Sequence, residues 1–274
     1  VLSRAARERL RQAGADVDEA RELVRLDPDL VITLIGQAPP AFRLVPRNPE
    51  RQLVIGGRHV AFGLVAGPPN VHDAVRGRRP GNLDDYTDFI RLAQVFNAIH
   101  LIGNQVCAPV ELPANTRHLD TYRTNLVFSD LAFHCSAIGR GRVEDAVRMA
   151  AIAQGVTPAL LATRPAIMTI ININSPRRLD ESMAEGLMAM ASHGQPVVIT
   201  PFTLMGAMAP VTLAAALAQQ NAEALFGIAL AQAVRPGTPV MYGAFTSNVD
   251  LKSGAPAFGT PEHTKANVVS GQLA

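Results

Sequence analysis

The sequence predicts an α/β chain of the (β/α)8 TIM-barrel type, present here as about six βα units behind an N-terminal helical lead-in. Short apolar runs alternate with helical stretches from residue 56 onward, the order expected of parallel strands joined by helical crossovers. One unit is complete. Pro196-Val-Val-Ile-Thr-Pro201 and Pro239-Val-Met-Tyr-Gly243 have the β-branched, apolar character of buried strands. Between them an Ala/Leu-rich stretch opens near Pro210, where a first helical turn tolerates proline, and stops at Arg235-Pro236-Gly237. A strand, a helix and a strand in that order imply a parallel pair. With 274 residues, 48% hydrophobic and 18% charged, the chain has enough apolar material for a large core.

Taken in order, residues 1–55 form the lead-in and residues 56–274 the barrel domain. Arg4 to Val24 reads as a charged helix broken near Gly14-Ala-Asp16, followed by proline-punctuated segments through Ala38-Pro-Pro40 and Val45-Pro46. Six strand-like runs follow: His59–Val65, Ile99–Gly103, Leu126–Ser129, Ala166–Ile171, Val197–Thr200 and Val240–Tyr242. Helical patterns separate most of them, as in Asp84–Asn97 with Phe89, Leu92, Ala93 and Phe96 in register, and in Glu144–Gln154. A last helix is expected to start at Thr260-Pro261-Glu262, with threonine as its cap. An eight-unit barrel takes about 250 residues, and six units already occupy most of this chain, so two units are expected to be missing at the C-terminus. The expected arrangement is an open arc of six parallel strands whose bare edges favour association.

Charge and motifs exclude several classes. With 25 basic and 23 acidic residues the net charge is +2, too weak a field for a nucleic-acid binder. Arg76-Gly-Arg-Arg79 and Arg140-Gly-Arg142 have the look of solvated turns. The two cysteines, Cys107 and Cys135, fit reduced thiols of a cytoplasmic protein better than a disulfide framework. The longest apolar stretch is interrupted by Gln219, Gln220, Asn221 and Glu223, which argues against a membrane span. No Gly-x-Gly-x-x-Gly or Walker pattern supports a nucleotide fold.

In a barrel the site forms at the carboxyl ends of the strands, which selects Asn104, Gln105, His134, Cys135, Asn172 to Ser175, Thr200 and Tyr242 to Ser247. Their chemistry is mostly neutral, and no catalytic residue can be assigned. Asn172 and Asn174 share one strand face and serve either a ligand or a loop-capping amide network. Cys107, His134 and Cys135 lack the spacing of a zinc site, so no metal is expected. Gln219, Gln220 and Glu223 suit a solvated helix stripe first, buried polar contacts second.

Three segments carry a resemblance: Ala209-Pro-Val-Thr-Leu-Ala214, Gln219-Gln-Asn-Ala-Glu223 and Arg235-Pro-Gly-Thr-Pro-Val-Met-Tyr-Gly243. Together with Leu10–Asp18, Asp85–Leu92, Asn97–His100 and Thr200–Gly206, they resemble the trimethylamine methyltransferase family of corrinoid-dependent methyltransferases over nearly the whole chain. The resemblance implies a barrel that takes a methyl group from trimethylamine or a quaternary amine such as glycine betaine. It further implies that the acceptor is the cobalt of a corrinoid (cobalamin) carried by a separate partner protein, with no cofactor bound by this chain. Trimethylamine enzymes of the family use pyrrolysine, at a position expected beyond the matched region. A quaternary nitrogen needs no general acid to leave, so positioning is the main task. Gln105, Asn172, Asn174, Tyr242 and Phe245 are the expected substrate-binding residues: the two rings for a cation, the amides for a substrate carboxylate. Homo-oligomer formation is left open. The alternatives are a non-catalytic quaternary-amine binding barrel and a lyase or aldolase on the same fold.

Overall fold

The computed structural model covers residues 1–274 and is a mixed α/β protein of helices and small sheets, none of which closes into a barrel. It divides into two compact units, one of residues 1–39, 170–191 and 197–274, the other of residues 40–169 and 192–196.

The chain opens in the first unit with α1 (Arg4–Gln12), β1 (Asp16–Asp18), β2 (Leu23–Arg25) and α2 (Pro28–Ile35). The expected helix from Arg4 to Val24 is therefore half as long. Gly14, at φ 106°, turns the chain out of α1, and β1 then pairs antiparallel with β2. Arg7 is buried on α1 because its guanidinium reaches the Val1 and Leu2 carbonyls and Glu19.

The second unit contributes β3 (Ala41–Leu44), β4 (Leu53–Gly56), β5 (Asn70–Asp73), β6 (Gly77–Pro80), α3 (Leu83–Val95), β7 (Leu101–Ile102), α4 (Arg117–Phe128), β8 (Ala132–Phe133), α5 (Arg140–Gln154) and α6 (Pro158–Leu161). β3 with β4 and β5 with β6 are antiparallel hairpins. The Arg76–Arg79 cluster, expected to be solvated, is instead partly paired: Arg79 holds Asp85 and Asp73, and Arg76 holds Asp73. Asp85 also closes a reciprocal cap with Asn82 at the start of α3. The parallel component of this unit is short. Gly63 bridges Leu101, β7 pairs with β8, and His134 bridges Met168. Two strand expectations are corrected here. Of His59–Val65 only Gly63 pairs, and Leu126–Ser129 belongs to the last turn of α4 and its cap. A run of three apolar residues does not by its period distinguish a strand from a helix end, and the strand follows at Ala132 after the Ser129-Asp130 bend.

From β9 (Thr169–Ile171) the chain returns to the first unit with α7 (Glu181–Ser192), β10 (Val197–Ile199), β11 (Phe202–Met205), α8 (Leu213–Val234), β12 (Val240–Tyr242), β13 (Phe245–Val249), β14 (Pro256–Ala257) and α9 (Pro261–Leu273). The central sheet runs in the order β9, β10, β12, with β10 and β12 parallel across α8 as the sequence requires. Thr260 caps α9 through its side chain with Pro261 in the first turn, also as expected. The single six-stranded arc is not present as one sheet; the strands are two to five residues long and grouped in separate small sheets.

α8 lies against β10 so closely that Gly227 has no room for a side chain: a Cβ there would stand 2.6 Å from Ile199 Cγ2. Three polar side chains of this helix, Gln220, Glu223 and Gln232, are buried, which corrects the solvated-stripe reading. Each is satisfied, which is what makes burial tolerable. Glu223 accepts from Ser175 Oγ (2.6 Å), Arg177 N (2.7 Å) and Gln219 Nε2 (2.9 Å). Gln220 bonds Ser270 on α9, Tyr242 on β12 and Thr246 on β13. Gln232 donates to Thr238 O and accepts from Gly237 N, closing the turn into β12.

Two outcomes are expected in urea unfolding. Gly227→Ala should lower stability by about 1–3 kcal/mol, because the added methyl forces α8 off Ile199. Glu223→Ala should cost about 2–3 kcal/mol by orphaning three buried donors, with Glu223→Gln losing less. Hydrogen exchange should show Glu223→Ala loosening residues 174–178 first.

Candidate functional site

β10 and β12 end at Ile199 and Tyr242, and each continues after a short break into a second strand, β11 and β13. The offset of 43 residues that pairs the first two strands persists in the second two, so Phe202 is aligned with Phe245 and Thr203 with Thr246. Aligned residues of parallel neighbours project to the same side. The Phe202 and Phe245 rings accordingly stack, with centroids 4.5 Å apart and planes within 14°. Beyond β14, Phe258 meets Phe245 edge to face at 5.2 Å, and His263 from the first turns of α9 lies 5.4 Å from Phe258. Phe258 is 55% exposed, so this platform of three phenylalanines meets solvent at the carboxyl-end side of β10 and β12.

The platform is held from beneath. Thr203 and Thr246 share a short hydroxyl contact, and Thr246 in turn donates to the buried Gln220. Ser247 donates to Ala257 O and Thr260 to Asn248 Oδ1, which fix β14 and the start of α9. The segments at these strand ends, Asn172–Ser175, Thr200–Met205 and Gly243–Val249, contain no ionisable side chain. Such a surface attracts a weakly hydrated organic cation through ring quadrupoles and supplies no acid or base.

Of the residues the sequence selected, Phe245 lies at the centre of the platform. Tyr242 is on the other side of its strand from Met241, aligned with Ile199, and its hydroxyl donates to Asn221 and accepts from Gln220 on α8 at 3.2 Å each. Its ring therefore faces the helix. Asn172 and Asn174 are exposed while Ile171 and Ile173 between them are buried, so both amides share the outward face. Asn174 Oδ1 accepts from Asp180 N at 3.2 Å, and its backbone pairs with Arg178, so this residue does cap a loop. Gln105 belongs to the other unit, in the turn after β7, at φ 51°, with its carbonyl accepting from Gly67 N at 2.9 Å.

Sequence reasoning missed Phe202, Phe258 and His263. The signal for Phe202 was present: laying Val197–Met205 beside Val240–Asn248 pairs the two phenylalanines directly. Nothing local marks Phe258, which reaches the platform only because β14 folds back on β13.

No three His, Cys, Asp or Glu side chains gather as a metal ion would need. Cys107 and Cys135 are buried free thiols whose pKa values burial pushes up to about 11 and about 12. No helix is long and apolar enough to cross a membrane.

Comparison with known proteins agrees with this arrangement. The chain is 38% identical over 269 residues to a glycine betaine methyltransferase of Desulfitobacterium hafniense strain Y51, covering 98% of this chain and 56% of that one. It is 26% identical over 277 residues to the trimethylamine methyltransferase MttB of D. hafniense strain DSM 10664 / DCB-2, covering 100% and 55%. It is 23% identical over 265 residues to a proline betaine:corrinoid methyltransferase of Eubacterium limosum, covering 94% and 54%. The chain thus spans about half the length of the curated relatives it matches. A family profile described as trimethylamine methyltransferase (MTTB) matches residues 1–274. From first residue to last, this chain belongs to the trimethylamine methyltransferase family.

Proposed function

We propose that the protein containing this chain transfers a methyl group from a quaternary amine of the glycine betaine kind to the reduced cobalt of a corrinoid carried by a partner protein. The observation that carries this reading is the neutral aromatic platform of Phe202, Phe245 and Phe258 at the ends of two parallel strands. A quaternary ammonium has no N–H, so hydrogen-bond donors and acceptors give it nothing; ring faces give it about 0.5–2 kcal/mol each. The amide of Asn172, exposed and unpaired, supplies a donor suited to a substrate carboxylate, and Gln105 offers a second amide. Tyr242 acts by holding its strand against α8.

The chemistry asks little else of these side chains. The corrinoid supplies the nucleophile: as the new bond to the methyl carbon forms, the N–C bond breaks and its electron pair stays on nitrogen. The amine leaves neutral, so no proton moves and no general acid is required. What the chain contributes is alignment of the N–CH₃ bond and exclusion of water. Higher identity to a glycine betaine relative than to trimethylamine relatives supports the quaternary substrate. In the same reading the short parallel pairs belong to a (β/α) barrel, with residues 56–274 as the barrel domain and 1–55 as its lead-in, in a cytoplasmic protein whose two thiols stay reduced.

Calorimetric titration of the full-length protein with glycine betaine tests the platform. Phe245→Ala or Phe258→Leu should weaken binding by up to about 2 kcal/mol, whereas Phe258→Tyr should largely retain it. The uncharged carbon analogue 3,3-dimethylbutanoate should bind more weakly than the betaine. Equal affinity for the two, or wild-type affinity in both phenylalanine variants, would remove the platform from the substrate site. Methyl transfer to a reduced corrinoid partner then separates an enzyme from a binding barrel.

A further inference from the structure

Within the unit of residues 40–169 and 192–196, β7 and β8 run parallel, Leu101 aligned with Ala132 and Ile102 with Phe133. His134 continues the ladder by donating its N–H to Ile102 O at 2.9 Å, which puts it beside Gly103 and one residue from Asn104 across the strand gap. Both polar side chains here have lost water without gaining a partner. Neither imidazole nitrogen of His134 is hydrogen-bonded or accessible, and the same holds for Oδ1 of Asn104. Between them Gly103 carries no side chain, since a Cβ would strike the Leu64 carbonyl. Buried groups of this kind are normally paired, and two orphans at neighbouring strand ends call for an explanation.

The orphans define what would satisfy them. Burial pushes the His134 pKa down to about 4, so at neutral pH the ring is uncharged, with one N–H to give and one lone pair to offer. Asn104 Oδ1 needs a donor. An anion gains nothing from a carbonyl oxygen and an uncharged ring, and a metal finds no third His, Cys, Asp or Glu. We propose that Asn104 and His134 form a subsite for a primary carboxamide, whose N–H₂ donates to Asn104 and whose carbonyl accepts from the imidazole. Such amides are carried around the ring of a corrinoid and equally by small neutral molecules.

Side-chain ¹⁵N spectra of histidine-labelled full-length protein test this with three probes: acetamide, hydroxocobalamin and acetate. Acetamide should shift the His134 nitrogens saturably, and acetate should not. Response to hydroxocobalamin as well as acetamide assigns the amide to a corrinoid edge; response to acetamide alone assigns it to a small molecule. His134→Phe and Asn104→Leu, followed by backbone shifts of Ile102 and Gly103, should each lower acetamide affinity about tenfold. His134→Phe removes a buried orphan and should melt no lower than the wild type. No shift with either amide probe, an equal shift with acetate, or wild-type affinity in both variants would overturn the proposal.

Discussion

Glu223 and Gln220 are withdrawn from water on one helix, and neither can remain there unless its oxygens and amide hydrogens are met by protein. That requirement dictates where several distant segments must go. The loop after β9 is drawn in because Ser175 and Arg177 supply donors to Glu223. α9 and β13 are drawn in because Ser270 and Thr246 complete Gln220. An apolar helix of the same length would slide or rotate on its sheet at small cost, whereas buried polar groups on α8 accept one register.

The aromatic platform inherits its geometry from that register. Thr246 binds Gln220 and contacts Thr203, so the β11–β13 pair is pinned one residue away from the aligned phenylalanines. Rings held in this way lose little freedom when a ligand arrives, and preorganisation of that kind is worth more than added contact area. The same pinning explains how a surface with no charged residue is specific: position and ring orientation replace ion pairing.

Much of the fold was legible. β10, α8 and β12 follow from apolar runs flanking a helical stretch, and α9 from a Thr-Pro start, because those signals are local. Failures occurred where the deciding contact was remote. Leu126–Phe128 carries β-like residues, but helical packing of α4 claims them, and Arg4 to Val24 splits because Asp16–Asp18 finds a partner strand seven residues on. In the candidate site Phe245 could be selected from one strand, while Phe202 required two strands to be laid side by side and Phe258 required knowing where β14 folds. The polar residues of α8 were visible as interruptions, yet whether water or Ser175, Thr246 and Ser270 would satisfy them depends on contacts up to 50 residues away in sequence.

The two buried cysteines carry a further consequence. With thiol pKa values near 11 and 12, roughly one Cys107 in ten thousand, and fewer of Cys135, is a thiolate at neutral pH. Thiolates are the softest nucleophiles a protein owns, and an electrophilic methyl group is the substrate on which they would compete with cobalt. A chain that handles activated methyl donors while keeping both sulfurs protonated is protected from alkylating itself, turnover after turnover, without giving up the packing that cysteine provides.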